Sequence, residues 1–530
     1  MIGGGSGTSW ARAASGRASI AARAARIGLY VITCLAAVAC ARTRRTPDDT
    51  LVYLLDSQIK ELDPRFLSGS NEEKLSRLIA PGLTSVDQAS LEPRLELASA
   101  VTQVDELTWV VTLREDARFP DGTALSADDV VWTYRTILDR KNRSSYFQQY
   151  DERLTAVEEI SPREVRFRLK KPLGTFVTDL EMGVLSARAG REGKLVGAGA
   201  YALVSLEPEE VLFERNPHHY GGPAPTRYVR FKVLPDQNAR LTMLIGGSAD
   251  LSQNTVRLDQ VGIVAERPRL KIESSRGAVL RYLLMRNDAP YLSDARVRRA
   301  IAMAVDRRKL IEKKLGGHAV LATGLIAPGH WAYSADVEPF DHDPDAARRL
   351  LDEAGFPDPP GPAPRFTLSF KVENDSFRLA IARSIAQDLR AVGIECEIRS
   401  FEFATFFTDL KKGLYELAMM QTSMIVEPDM YYHHFHSSRI PTPEFPNLAN
   451  RWRYRSAEAD ELIERGRRTA GRDERRAIYG RLQKLLSHDM PIVPLWHEDN
   501  VAVLNVDVDG YEVLPNARLM ALGHTVKRRR

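Results

Sequence analysis

Two carboxylates and three histidines in the last third of the chain are the residues whose types and spacing could support chemistry. Glu427 and Asp429 follow a short apolar run at 417–420 that is typical of a buried strand. A carboxylate at the end of such a strand can pair with a cationic group of a ligand, or it can cap the turn or helix that follows. The sequence alone leaves both interpretations of these carboxylates open.

The three histidines are His433, His434 and His436. Adjacent imidazoles can ligate zinc or nickel, so a secreted metal-dependent hydrolase is one interpretation of this group. However, the chain has no H-E-x-x-H helix to combine two ligands with a general base, and no G-x-S-x-G turn to present a nucleophilic serine. We therefore predict that the protein is not an enzyme and that it needs no cofactor and no resident metal.

The N-terminus has the pattern of an export signal. Residues 1–26 carry four arginines and no acidic residue, and a largely apolar run of 13 residues at 27–39 follows and ends at Cys40. This run is too short for a bilayer core that requires about 20 residues, so we predict a signal peptide at residues 1–39 and a periplasmic protein. The small residues at 37–39 fit ordinary signal peptidase, whereas Cys40 directly after them resembles the lipidation site of bacterial lipoproteins.

The overall composition argues against several classes of partner. The chain of 530 residues is 44% hydrophobic and 27% charged, which suffices for two or three globular domains. Without the leader, the 74 lysines and arginines fall to 70 and equal the 70 aspartates and glutamates. Nucleic-acid binding depends on a basic surface, so we predict no such partner, and we predict membrane contact only through a lipid at Cys40. The basic run Lys527–Arg530 is expected to be a solvated tail.

The stretch from residue 108 to residue 139 is the most specific local pattern. Apolar side chains alternate over 109–113 as in a half-buried strand, and Phe-Pro-Asp-Gly-Thr at 119–123 predicts a turn. Ser126 followed three residues later by Asp129 predicts a capped helix. A second strand and helix pair is predicted in mid-chain, where 282–285 is apolar and strand-like. We expect Ser293 or Asp294 to cap the first helix that follows it, and Asp306 to begin the second.

The order of these motifs resembles that of the extracellular solute-binding proteins of family 5, the dipeptide, oligopeptide and nickel class. The F-x-D-G-T turn with its S/T-A-x-D-V helix carries the resemblance, together with a G-x-G-x-Y strand at 197–201 and an R-N-P turn at 215–217. The resemblance covers essentially all of residues 50–520. It implies an α/β fold of the two-lobed periplasmic-binding-protein-like type II, with an extra subdomain in lobe I. The implied domains are a signal peptide at 1–39, lobe I at 40–276 with its subdomain at about 86–190, lobe II at 277–490, and a return to lobe I with a tail at 491–530.

The same resemblance implies a site and a function. In peptide-binding members, an aspartate near the strand end pairs with the ammonium group of the ligand, and alignment on Pro428-Asp429 places Met424 at that position. Aromatic residues at Phe147, Tyr150 and His330 could line a cleft or serve for packing. The predicted ligand-binding residues are Met420, Thr422, Ser423, Met424, Glu427, Asp429 and Trp331.

The implied function is that of the substrate-binding component of an ABC transporter. Such a component captures a peptide or peptide-like solute in the periplasm by cleft closure and delivers it to permease subunits in the inner membrane. Because position 424 lacks a carboxylate, the resemblance supports a solute in general more strongly than a peptide. An exported scaffold or chaperone that kept the fold without transport is the alternative.

Overall fold

The computed structural model describes most of the chain that follows the leader. It covers residues 46–67, 69–87, 92–422 and 427–528. The predictions of a signal peptide and of lipidation at Cys40 therefore lie outside the described residues. Within the described ranges, no helix combines the length and the apolar character that a membrane crossing requires.

The first segment begins lobe I with a strand that is buried along its whole length. Its elements are β1 (Thr50–Leu55), α1 (Ser70–Ile79), β2 (Thr84–Val86) and β3 (Pro93–Leu95). The carboxylate of Glu72 accepts a hydrogen bond from the backbone N–H of Gly69 at 2.9 Å and so caps the N-terminus of α1. This helix packs against the core of lobe I through Leu75, Leu78 and Ile79.

The second segment forms an insert with a hydrophobic core of its own. Its elements are β4 (Ala98–Asp105), β5 (Thr108–Leu113), α2 (Ala127–Leu138), α3 (Phe147–Arg153), β6 (Leu154–Ser161), β7 (Glu164–Leu169), α4 (Phe176–Asp179) and α5 (Ala187–Arg191). The strands form an antiparallel sheet in the order β4-β5-β7-β6. The predicted capped helix is confirmed, because Asp129 accepts from the backbone N–H of Ser126 at 2.8 Å. The predicted alternating strand is confirmed as β5.

The third segment returns to lobe I. Its elements are β8 (Tyr201–Glu207), β9 (Glu210–Arg215), β10 (Tyr228–Val233), α6 (Gln237–Ile245), β11 (Leu251–Gln253), α7 (Val261–Ala265) and β12 (Leu270–Ser275). Strands β8, β9 and β10 pair antiparallel, and β10 pairs parallel to β1. Phe213 and Phe231 meet in the core beneath this sheet with their ring centroids 5.3 Å apart.

The fourth segment is lobe II. Its elements are β13 (Leu280–Met285), α8 (Ala295–Ala304), α9 (Arg307–Leu315), β14 (Ala319–Leu321), α10 (Pro344–Glu353), β15 (Phe366–Glu373), α11 (Ser376–Arg390), β16 (Ile394–Phe401), α12 (Phe403–Lys412), β17 (Leu417–Gln421), α13 (Met430–Phe435), α14 (Ala457–Arg468), α15 (Arg472–Asp489) and β18 (Ile492–Glu498). A six-stranded sheet with the order β14-β18-β13-β17-β15-β16 has a hydrophobic core on each face. Of the two predicted caps, Asp294 is the one that accepts from the first turn of α8, and Asp306 begins α9 as predicted.

The last segment completes lobe I. Its strands are β19 (Asn500–Asn505), β20 (Val508–Asp509) and β21 (Val526–Lys527). Strand β19 enters the seven-stranded sheet of lobe I, whose order is β12-β19-β11-β1-β10-β9-β8. The chain thus passes between the lobes at 275–280 and again at 498–500. The division into domains stays a prediction. We propose that lobe II ends after Glu498 rather than at residue 490, because β18 pairs with β13 and β14 of lobe II.

The C-terminal basic run was expected to be solvated, and for Lys527 this expectation is wrong. The side chain of Lys527 is 7% exposed, and its Nζ lies 3.1 Å from the carboxylate of Asp250. The same Nζ donates to the backbone oxygens of Pro47 at 2.8 Å and Thr50 at 3.0 Å. Because Asp250 is itself buried, Lys527 supplies its counter-charge and ties the two ends of lobe I together. Arg528 is exposed and pairs with Asp509.

Replacing Lys527 by methionine is expected to lower the free energy of unfolding by about 3–5 kcal/mol, because the carboxylate of Asp250 would stay buried without its counter-charge. Urea denaturation measures this change. Arg528→Met is the matched control, since it breaks an exposed ion pair one residue away and should cost less than about 1 kcal/mol. Equal effects of the two substitutions would contradict the assigned role of Lys527.

Candidate functional site

The two lobes touch along one flank, where the insert of lobe I meets the helices of lobe II. The backbone N–H of Gly174 donates to the carbonyl oxygen of Arg467 at 2.9 Å. A Cβ on Gly174 would collide with the carbonyl oxygen of Thr469, so the two backbones are in direct contact at this point. Arg472 of lobe II also pairs with Glu92 of lobe I. Around this contact lie two clusters of buried charges.

The first cluster is centred on Arg153, at the end of α3. One guanidinium nitrogen pairs with Asp179 of the same lobe, and the other donates to Asp429 of lobe II at 3.1 Å. Asp429 also accepts from Arg467 at 2.6 Å, and Nε2 of His433 lies 3.8 Å from it. Two guanidinium groups therefore balance two carboxylates in a site that crosses the boundary between the lobes.

The environment of the first cluster shifts the pKa values of its members in different directions. Burial alone would raise the pKa of Asp429, but Arg467 and Arg153 together outweigh it and hold this pKa below its usual value. Burial raises the pKa of Asp179 to about 6 against the opposing charge of Arg153. Burial lowers the pKa of His433 to about 3, so its imidazole is neutral at physiological pH.

The second cluster is built around Glu427. Its carboxylate pairs with Arg475 of α15 and accepts a hydrogen bond from the hydroxyl of Thr178, across the lobe boundary, at 3.1 Å. The guanidinium of Arg475 lies over the ring of Trp331, 5.0 Å from the ring centroid. Burial raises the pKa of Glu427 to about 7 despite the opposing charge of Arg475. Glu427 and Asp429 thus contact lobe I directly, whereas Trp331 packs behind them on Arg475 of its own lobe.

The other predicted site residues lie at or beyond the end of β17. Met420 is half-buried and packs against a core cluster of lobe II. The backbone N–H of Thr422 donates to the carbonyl oxygen of Leu280 at 2.9 Å, and its hydroxyl accepts from the N–H of Leu280 at 3.1 Å, which fixes the strand end. Ser423 and Met424 lie outside the described residues. Ligand binding by this set stays a prediction.

A polar cavity of about 230 Å³ lies in lobe I, beside the interlobe contact. It lies between α1 and the insert, and Thr178, which bonds to Glu427, forms part of its wall. Its lining residues are Pro64, Leu67, Glu73, Ser76, Arg77, Ala80, Tyr146, Gln149, Tyr150, Thr178, Asp179, Glu181, Met182 and Gly183. Of these, the sequence had suggested only Tyr150, as an aromatic residue for packing or for a cleft.

Two polar groups of this cavity wall have no hydrogen-bond partner among the described residues. They are the hydroxyl of Ser76 and the Oδ2 atom of Asp179, both buried. The other carboxylates of the wall are paired: Glu73 lies 3.1 Å from Arg77, and Glu181 accepts two hydrogen bonds from Arg518 at 2.9 and 3.0 Å. Buried polar groups are usually hydrogen-bonded, so these two atoms are exceptions to that rule.

The histidines that suggested a metal site have separate partners. Nδ1 of His434 lies 3.0 Å from the carbonyl oxygen of Met430, and burial lowers the pKa of this histidine to about 4. His436 lies 2.8 Å from the hydroxyl of Ser438. In the part of the chain that the structure describes, no three side chains of His, Cys, Asp or Glu are grouped so as to hold a metal ion.

Replacing Glu427 by glutamine tests the electrostatics of this flank. With a pKa of about 7 instead of 4.5, folded Glu427 retains its proton between those values while the unfolded chain has lost it. Protonated Glu427 therefore contributes to the free energy of unfolding below about pH 4.5, and this contribution is lost as the pH rises to about 7. The glutamine variant lacks this titration. Its free energy of unfolding, relative to the unmodified protein, should rise by about 2–3 kcal/mol between about pH 5 and about pH 8. Urea denaturation at both pH values measures this, and a change of opposite sign would contradict the assignment.

Comparisons with known proteins give the family. Residues 92–441 match the model of the bacterial extracellular solute-binding proteins, family 5. The probable di/tripeptide-binding protein 5 of Pseudomonas aeruginosa is 27% identical over 450 residues, which cover 78% of this chain and 82% of that protein.

Among solved structures, the oligopeptide-binding protein AppA of Bacillus subtilis, in complex with a nonapeptide, is similar with a TM-score of 0.75 and 23% identity. The alignment covers 91% of this chain and 99% of AppA. NikZ of Campylobacter jejuni, in complex with Ni(L-His), is similar with a TM-score of 0.77 and 22% identity, over 91% of this chain and 100% of NikZ. These structures confirm the predicted two-lobed α/β fold, and the chain belongs to the family 5 bacterial extracellular solute-binding proteins, which bind solutes and are not enzymes.

Proposed function

We propose that this protein is the substrate-binding component of an ABC importer and that it captures a peptide or peptide-like solute by closing its two lobes. The observation that carries the proposal is the polar cavity directly beside the interlobe contact, where Thr178 belongs to both. The cavity is lined by residues of lobe I, and closing of the lobes brings Glu427 of lobe II against Thr178 of its wall. The Pseudomonas relative is named for di- and tripeptides, which supports a peptide-like solute.

The connections between the lobes suit a closing movement. Among the described residues, two short connecting segments, 275–280 and 498–500, join the lobes. The ion pair of Arg276 with Asp499 at 3.0 Å holds them side by side. Gly277 packs so closely on the carbonyl oxygen of Glu498 that a Cβ would collide with it. Rotation about two adjacent connecting segments leaves the sheets of both lobes intact. This is the usual form of hinge closure around a ligand.

The contacts across the lobes are polar, which suits reversible closure. Buried ion pairs gain little net free energy, because the loss of hydration offsets most of the Coulomb attraction. The buried pair of Arg153 with Asp429 can therefore exchange for water at modest cost when the lobes separate. The pair of Arg472 with Glu92 is largely exposed and contributes little in either state. An apolar contact of the same size would hold the lobes shut without a solute.

The proposal extends to the place where the protein works. Members of the family are extracellular or periplasmic, and the export signal predicted from residues 1–39 agrees with this. We propose that Cys40 carries a lipid that anchors lobe I to a membrane and that permease subunits in the inner membrane receive the solute. Radiolabelled palmitate incorporation that depends on Cys40 would test the anchor.

The protein purified under native conditions is expected to carry its solute. Native mass spectrometry should show an excess mass that disappears on denaturation, and fragmentation of the released compounds should identify peptides. If no compound is released, titration with a di- and tripeptide library, glutathione and Ni(L-His) provides the second measurement. The absence of any bound compound and of any binding would contradict capture and favour an exported scaffold.

Replacing Gly174 by alanine should hinder closure, because its Cβ would collide with the backbone of Thr469 in lobe II. Relieving such an overlap costs about 1–3 kcal/mol, so affinity for the solute should fall by roughly tenfold. Small-angle scattering should show a larger radius of gyration in the presence of solute. Gly262→Ala is the matched control, since a Cβ there meets nothing within 4 Å. Equal affinities of the two variants would contradict closure along this flank.

A further inference from the structure

We propose that the basic segment Arg140–Arg143, which adjoins the cavity of lobe I, attracts anionic solutes and so makes acidic peptides the preferred solutes. The inference rests on the proposed function and names the class of solute. Every unblocked peptide carries one ammonium and one carboxylate group at its ends, so this preference concerns the acidic side chains of the peptide.

The basic segment carries three cations that have no ion-pair partner among the described residues. They are Arg140, Lys141 and Arg143, and all three are exposed. The guanidinium of Arg140 lies over the ring of Phe147, 5.2 Å from the ring centroid, which holds this cation against the start of α3. The positive charge of the segment is therefore not neutralised within the fold and can act on a solute.

The acidic side chains that are closest in sequence have other partners. Asp151 lies 3.5 Å from Lys170, and Glu152 lies 3.8 Å from Arg439. Asp139 accepts a hydrogen bond from a backbone N–H of the basic segment at 3.0 Å and caps the single turn that follows. The segment together with Asp139 has a formal charge of +2, because it holds three cations and one carboxylate.

The end of the basic segment is fixed to the cavity wall. The hydroxyl of Ser144 donates to the carbonyl oxygen of Arg65 at 2.6 Å, and Arg65 follows Pro64 of the wall. Tyr146, three residues after Arg143, belongs to the wall itself. Three peptide units span at most about 11 Å between Cα atoms, so Arg143 lies beside the cavity.

Charges at this distance act on a solute without touching it. The Debye length is about 10 Å at 0.1 M ionic strength, so the field of the basic segment extends to the cavity. Charge of one sign beside a cavity raises the local concentration and the association rate of oppositely charged molecules, by about tenfold or more in strongly charged clefts. The carboxylates of the wall, Glu73, Asp179 and Glu181, are paired with arginines and so oppose this attraction only weakly.

The basic segment can be neutralised without a threat to the fold. The backbone of Arg143 has a φ of 55°, in the left-handed region where asparagine is more favourable than arginine. Arg143→Asn should therefore keep or improve the stability of the turn while it removes one cation. Arg140→Gln and Lys141→Gln remove the other two from exposed positions, where such changes cost little stability.

The test offers two synthetic tripeptide libraries to the immobilised protein. One library contains aspartate and glutamate where the other contains asparagine and glutamine, and bound peptides are quantified by mass spectrometry. The unmodified protein should prefer the acidic library by about fivefold at about 10 mM salt and by less than about twofold at about 500 mM salt, because salt screens the segment. The triple variant Arg140→Gln, Lys141→Gln, Arg143→Asn should bind both libraries alike at either salt concentration.

The triple variant Lys309→Gln, Arg349→Gln, Arg383→Gln is the matched control. It removes three exposed cations from helices of lobe II, so it changes the net charge equally and should keep the acidic preference. A preference that survives without the basic segment, one that both triple variants lose equally, or one that is absent from the unmodified protein would overturn the assignment while capture itself stands. If the unmodified protein binds neither library nor any other solute, the proposed function fails as well.

Discussion

The shared guanidinium of Arg153 is the interaction on which the joined arrangement of the two lobes depends. Its side chain is 9% exposed, and it pairs with Asp179 on its own lobe and with Asp429 on the other. A buried arginine without a partner would cost several kcal/mol, and Asp179 of the same lobe meets this requirement for Arg153 before Asp429 adds a second carboxylate from lobe II. The pair of Arg153 with Asp429 therefore fixes where the two lobes meet, although it stabilises their contact by little net free energy.

The carboxylates on the two sides of the junction between the lobes differ in their partners. On the lobe II side, each carboxylate has an arginine of its own, so Glu427 and Asp429 serve contact and leave no free charge for a guest. On the lobe I side, Oδ1 of Asp179 pairs with Arg153, while its buried Oδ2 has no hydrogen-bond partner among the described residues. Carboxylates of both lobes thus lie close together at this junction and are linked through Arg153.

Local patterns in the sequence predicted much of the fold but little of the site. The alternation in β5, the capping box of α2 and the caps at Asp294 and Asp306 involve residues at most a few positions apart, so periodicity and side-chain type suffice to predict them. Arg153 and Asp429 are 276 positions apart, and only the tertiary fold brings them together. The burial of Lys527 was missed for the same reason, because its partner Asp250 is 277 positions away.

The fold alone does not determine which solute is bound. Two relatives with TM-scores of 0.75 and 0.77 to this chain hold a nonapeptide and Ni(L-His), respectively, within the same architecture. The difference must therefore lie in side chains rather than in the architecture. A carboxylate that is paired with an arginine presents less negative charge to a solute than an unpaired one does. Counting partners for each buried carboxylate consequently says more about the solute than similarity of fold does.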